Sequence, residues 1–143
     1  MTTYVEAVYF PDRRTKWTRP LFTTPVQAGF PSPAEDYIEG RLDLNRHLIK
    51  HPVATFYVRV AGDSMIDAGI HPGAILVVDR AIEADDGDIV IARLDDELCV
   101  KRLRIRDGRV SLLSENRRYT PIEINEGTDF EIWGRVMHSI QSH

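Results

Sequence analysis

The hydroxyl of Ser64 and the amine of Lys101 are the two side chains whose settings suggest chemistry. Ser64 lies in Gly62-Asp63-Ser64-Met65, where a strand-like run breaks into a turn. Lys101 lies inside the strand-like run Leu98-Cys99-Val100-Lys101-Arg102-Leu103. Alternation along a strand places Lys101 on one face with Cys99, Leu103 and Ile105, and leaves Arg102 and Arg104 on the other. An amine among apolar neighbours is costly to charge, so its pKa falls, and a neutral amine can take the proton of a serine hydroxyl. Upstream, Ala28-Gly29 is a pair of small residues at the end of a proline-punctuated segment. Small residues let a strand enter a narrow cleft, and a glycine after the bond removes the side chain that would obstruct attack. Together these features suggest a protease whose substrate is its own chain.

Each residue also has a plainer reading. A lone strand lysine is more often one that snorkels from a sheet edge. A serine in Gly-Asp-Ser is commonly a turn former whose hydroxyl bonds nearby backbone. The segment is not a Gly-x-Ser-x-Gly elbow, because Ile66 stands where the second glycine would be. A Ser-His-Asp triad with His71 or His138 is conceivable, but five histidines place nothing by themselves. Gly-Asp-Ser also opens a family of esterases with larger α/β folds, unlike this short, β-rich chain. Cys99 reads as a small buried hydrophobe, Phe130 and Trp133 as core or interface aromatics, and Trp17 as an anchor of the N-terminal arm. The Asp85-Asp86 and Asp95-Asp96 pairs read as solvated turn acids. The sequence has no metal-ligand spacing and no phosphate-cradling glycine loop, so neither a metal nor a cofactor is expected.

The elements that must position the pair are mostly strands. Residues 1–28 are punctuated by Pro11, Pro20 and Pro25 and read as an extended arm, with weak alternation from Tyr4 to Tyr9. Ser32, Pro33 and Glu35 make a helix start with a capping box, and Ile38 and Leu42 fall four apart, which predicts one kinked helix or two short ones over 33–50. Strands are expected from Thr55 to Val60, Ala74 to Asp79, Asp88 to Leu94, Leu98 to Ile105, Arg109 to Leu113 and Phe130 to His138. Asp95-Asp96 and Asp107-Gly108 mark hairpins between them. The expected fold is mostly β, a strongly bent sheet or partial barrel preceded by a short helical segment and an extended arm.

Bulk properties bound the rest. The chain has 143 residues, 43% apolar and 28% charged, which suits one globular domain. One cysteine allows no internal disulfide, and no apolar run reaches the roughly 18 residues of a membrane span, so a soluble cytoplasmic protein is expected. Residues 1–28 carry a net charge of +2 within a chain of −4, leaving −6 on residues 29–143. So acidic a body is a poor grip for phosphate backbones, and any tie to DNA is expected to run through a partner rather than direct sequence-specific binding.

Beyond its two candidate residues, the sequence resembles the UmuD proteins, relatives of LexA-type repressors and of signal peptidases that use a Ser-Lys dyad. The resemblance runs from about Pro20 to the C-terminus. It is densest at Pro20-Leu21-Phe22, Gly29-Phe30-Pro31-Ser32-Pro33-Ala34, Gly62-Asp63-Ser64-Met65-Ile66-Asp67, Gly87-Asp88-Ile89-Val90 and Val100-Lys101-Arg102-Leu103. It implies a LexA-like peptidase fold in which Ser64 is the nucleophile, Lys101 the general base and Ala28-Gly29 the self-cleavage bond. Residues 1–28 would then be a removable arm and 29–143 the peptidase domain. Some UmuD members have cysteine at the position of Ala28, whereas LexA-like proteins commonly have alanine there. Backbone N–H groups of Ser64 and Met65 are the candidates for holding the oxyanion. The resemblance further implies a homodimer in the bacterial SOS response to DNA damage. A RecA–single-stranded-DNA filament would stimulate cleavage, and the product would serve a UmuC-like Y-family polymerase in error-prone translesion synthesis. Two alternatives stand beside it. One is a non-catalytic polymerase-binding module with a vestigial dyad. The other is a LexA-like repressor lacking its DNA-binding domain, for which a helix-turn-helix of some sixty residues would be needed ahead of the body, roughly three helices' worth.

Overall fold

The structure is a computed structural model, and it describes residues 2–12, 14, 18–22 and 38–143. The chain divides into two compact units, one formed by residues 1–11 with 51–143 and the other by residues 12–50.

The larger unit is a closed barrel. Its strands are β1 (Tyr4–Tyr9), β4 (Thr55–Ala61), β5 (Ile75–Asp79), β6 (Ile89–Leu94), β7 (Glu97–Arg106) and β10 (Phe130–Ile140). They are ordered β1-β4-β5-β10-β6-β7, and β1 returns to β7 to close the ring. Two more strands, β8 (Arg109–Leu113) and β9 (Ile122–Ile124), extend the sheet beyond β7. The mostly-β expectation is met, and the bend is carried through to closure. Closure removes exposed edges, which an open sheet of this length would leave. The closing seam is slight: β1 meets β7 at one bridge, Tyr4 opposite Cys99.

The hairpins follow from their turn residues. Leu94 pairs with Glu97 across Asp95-Asp96, and Arg106 with Arg109 across Asp107-Gly108. Asp95, Asp107 and Gly108 have φ of 54°, 53° and 72°, the left-handed conformation that Asp and Gly tolerate in two-residue loops. The core fills both sides of the sheet. Phe56, Val58, Val60, Met65, Leu76, Val78, Ile91 and Val100 form one buried cluster, and Val90, Ala92, Cys99, Leu103 and Leu112 another. Consecutive residues such as Val90 and Ile91, or Cys99 and Val100, fall in different clusters, as side-chain alternation requires. Phe130 and Trp133 pack against these clusters, as expected of core aromatics.

The smaller unit differs from the sequence expectation. Its strands β2 (Thr18–Phe22) and β3 (Ile38–Asp43) pair antiparallel, with Thr18 opposite Asp43 and Phe22 opposite Ile38. Among the described residues, the helix expected over 33–50 is limited to α1 (Leu44–Leu48), which Asp43 caps by accepting a hydrogen bond from the Asn45 amide at 3.0 Å. The spacing of Ile38 and Leu42 was ambiguous: residues four apart share a face in a helix and also in a strand, where the period is two. The expected helix start at Ser32-Pro33 lies outside the described residues, as do Trp17 and the Ala28-Gly29 pair.

Candidate active site

Ser64 sits where the sequence places it, in a turn just past the end of β4. Gly62 (φ 89°) takes the left-handed conformation there, and a 3₁₀ turn over Ile66–Ala68 follows. The neighbouring side chain, Met65, is fully buried in the core and anchors the turn. Ser64 is itself fully buried, its hydroxyl oxygen accepting a hydrogen bond from the amide of Thr3 at 2.7 Å.

Lys101 occupies the middle of β7, opposite Val90 of β6. It shares a strand face with Cys99 and Leu103, both buried, and is only 3% exposed. The snorkelling alternative does not describe this residue. Burial pushes the pKa of the amine down, a shift slightly offset by the nearby Cys99 sulfur; burial likewise pushes the Cys99 thiol up. The amine donates to Ser114 Oγ at 2.8 Å rather than to Ser64. It also lies 6.0 Å from the centre of the Tyr119 ring.

Two segments tie the serine turn to the lysine strand. One is Thr3, whose amide reaches Ser64 while its carbonyl accepts from the amide of Val100, the residue before Lys101. The other is the stretch from Ser114 to Tyr119. Ser114 meets the lysine; the Glu115 carbonyl accepts from the Asp67 amide at 2.8 Å; Asn116 Nδ2 donates to the Asp63 carbonyl at 2.8 Å; and the Tyr119 hydroxyl bonds the Asp63 carboxylate at 2.6 Å. That last bond is the main reason the Asp63 carboxyl titrates below its usual range. Arg102, on the other face of β7, pairs with Glu115 and steadies the same segment. The sequence reading singled out none of Thr3, Ser114, Asn116 and Tyr119. Their only local signal is that each is a hydrogen-bonding residue in a short irregular stretch. Their role appears once non-consecutive elements meet.

The remaining candidates have structural duties. The two histidines considered for a triad, His71 and His138, lie in a loop and in β10; the His71 amide bonds the Gln141 side chain. Instead, it is His51 that pairs with a carboxylate, its Nδ1 lying 2.6 Å from the buried Asp79. In the loop before β6, the Asp85 carboxylate accepts from the Asp86 amide and the Asp86 carboxylate accepts from the Ile105 amide of β7. Among the described residues no group of His, Cys, Asp and Glu is placed to hold a metal ion, and no helix is long and apolar enough to cross a membrane.

Comparison with known proteins places the chain in a family. The family model for the Peptidase S24-like domain matches residues 20–137. Protein SamA of Salmonella typhimurium is 46% identical over 125 residues, covering 87% of this chain and 89% of that protein. Protein ImpA of the same organism is 53% identical over 96 residues, 67% of this chain and 66% of its own length. The LexA repressor of Dechloromonas aromatica is 44% identical over 110 residues; they make up 76% of this chain but about half, 54%, of the repressor. With a family model spanning most of the sequence and relatives of this identity and coverage, the chain belongs to the Peptidase S24-like family, the family of the LexA- and UmuD-type proteins.

Proposed function

We propose that this protein is a self-cleaving serine endopeptidase in which Ser64 attacks the Ala28–Gly29 bond and Lys101 is the general base. The observation that carries the reading is the state of Lys101: a buried amine with a depressed pKa, held by one hydroxyl, directly after Val100, the residue that shares Thr3 with Ser64. A neutral amine that donates to Ser114 keeps its lone pair for another proton. In the reaction that proton comes from Ser64 Oγ as the oxygen bonds to the Ala28 carbonyl carbon. The resulting oxyanion falls to the amides of Ser64 and Met65, which make no hydrogen bond among the described residues. Collapse breaks the bond to the Gly29 nitrogen, which takes the proton from the lysine, and water then releases the ester. No cofactor enters this scheme.

By the same family relation, the reaction belongs to the SOS response in a bacterial cytoplasm. Cleavage is stimulated by a RecA–single-stranded-DNA filament, separates an arm of residues 1–28 from a body of 29–143, and yields the homodimeric accessory form of a UmuC-like error-prone polymerase. The acidic body fits association with those proteins better than direct DNA binding.

The test is intact mass after incubating purified protein at rising pH, beside Ser64→Ala and Lys101→Ala. A species beginning at Gly29 is expected from wild type alone, forming slowly near pH 7 and faster in alkali. The rate should level off below the ordinary lysine value of about 10.4. A rate independent of pH between about 7 and 10 would remove Lys101 as base. No cleavage, with or without activated RecA filament, would favour the non-catalytic polymerase-binding module.

A further inference from the structure

The backbone of Thr3 lies where a substrate strand would have to lie. Its amide donates to Ser64 Oγ at 2.7 Å, and its carbonyl accepts from the Val100 amide at 3.1 Å. The residue is fully buried, and so is Ser64 beneath it. We propose that residues 2–4 are an autoinhibitory strap: the chain's own N-terminal segment fills the strand-docking site beside Ser64 and must leave before the Ala28–Gly29 bond can enter. This rests on the peptidase reading above.

Three features support the strap. First, occupancy is exclusive. Attack needs a substrate carbonyl carbon about 3 Å from Oγ, and the Thr3 nitrogen already stands there. A strand pairing with β7 at this point would also need the Val100 amide, which has one hydrogen to give. Second, the strap is not itself positioned for cutting. An amide that donates to Oγ holds the oxygen near the peptide plane, away from the face on which a carbonyl is attacked, and engages the lone pair that would attack. Third, the dock is built to yield. Among the described residues, Thr3 Oγ1 is buried without a hydrogen-bond partner, which costs free energy, and only the Tyr4–Cys99 bridge continues the seam. Main-chain bonds of this strand-addition kind hold any extended segment, so the strap and the cleavage segment compete on equal chemical terms.

Two substitutions at Thr3 move the balance in opposite directions. Thr3→Pro removes the amide hydrogen that Ser64 accepts, at the start of a strand where proline is tolerated. Thr3→Val keeps the amide and the β-branched shape but replaces the unpartnered hydroxyl with a methyl. Self-cleavage in alkali would be followed by intact mass, with hydrogen exchange at Val100 as a readout of docking and a thermal melt as a check of folding. A strap docked in all but about a tenth of molecules lowers the rate about tenfold, so Thr3→Pro is expected to cut about tenfold faster, with faster Val100 exchange. Thr3→Val is expected to cut more slowly than wild type, with slower exchange. Cleavage by wild type at a rate shared by both folded variants overturns the strap and leaves the peptidase standing. Absence of cleavage in wild type and both variants overturns the peptidase reading and the strap's regulatory role with it, whatever Val100 exchange shows.

Discussion

Burial of Lys101 sets both how the amine reacts and how the fold responds to pH. Because the folded protein disfavours the ammonium, the unfolded chain binds more protons at this residue between the depressed pKa and the ordinary value of about 10.4. Wild-type stability is therefore expected to rise with pH through that window, and below it the folded state carries the full cost of a buried charge. Lys101→Met has nearly the same shape and no charge. It should be more stable than wild type at pH 7 by roughly 1 kcal/mol or more, with the gain shrinking toward pH 10. Thermal unfolding of both proteins across that range checks it, and a Met variant no more stable at pH 7 would contradict a buried, costly ammonium. Ser114 acts on the same amine from β8's far end. Ser114→Ala removes the oxygen that accepts the amine's hydrogen bond, so the charged form is favoured less and the side chain is less well held. The pH–rate curve for self-cleavage should move to lower pH, while its plateau falls roughly tenfold to a hundredfold. A plateau that falls with no movement of the curve would make Ser114 a packing residue only.

At the scale of elements, the site depends on strands that reach across the sheet rather than along it. Strand β10 pairs with β5 through Arg135–Ile140 and with β6 through Phe130–Arg135, joining the two halves of the barrel. Gly134 marks the crossing, beside a register shift in the β6 pairing. A Cβ there would stand 2.7 Å from Val78 Cγ1 and 3.1 Å from the Asp79 carbonyl oxygen, so the absence of a side chain lets β10 approach β5 closely. Gly134→Ala should cost about 1–3 kcal/mol, as overpacking in a dense core does, and a denaturant melt with an unchanged midpoint would refute it. The stretch from Ser114 to Tyr119 is the opposite kind of element. It has no regular structure, yet it bonds the residues flanking Ser64 and the amine of Lys101. Its hydrogen-bonding side chains gain meaning only when β7 and β8 set it against the turn after β4.

For the whole molecule, cleavage after Ala28 would cut β1 away from the chain that holds β4. Strand β1 is nonetheless part of the barrel, registered from Tyr4 opposite Ala61 to Tyr9 opposite Tyr57. The released 1–28 segment is therefore expected to stay with residues 29–143 under native conditions and to separate in denaturant. Native mass spectrometry of the cut protein checks this, and a body free of the segment at micromolar concentration would show that β1 holds only while covalently attached. The sequence by itself determined the strands from Thr55 onward except the three-residue β9, the two Asp-marked hairpins, and the candidates Ser64 and Lys101. Alternation, turn chemistry and motif are local signals, and a lysine between Cys99 and Leu103 announces its apolar face within one strand. It pointed to helix over 38–43, because residues four apart satisfy a helix and a strand alike, and pairing with β2 made that segment a strand instead. Tertiary structure alone decided that the bent sheet closes, that Ser114 takes the lysine's hydrogen bond, and that Thr3 lies over Ser64. Each joins residues far apart in the chain, sixty-one positions in the last case, and no local pattern encodes which distant strand will supply a partner for a buried hydroxyl.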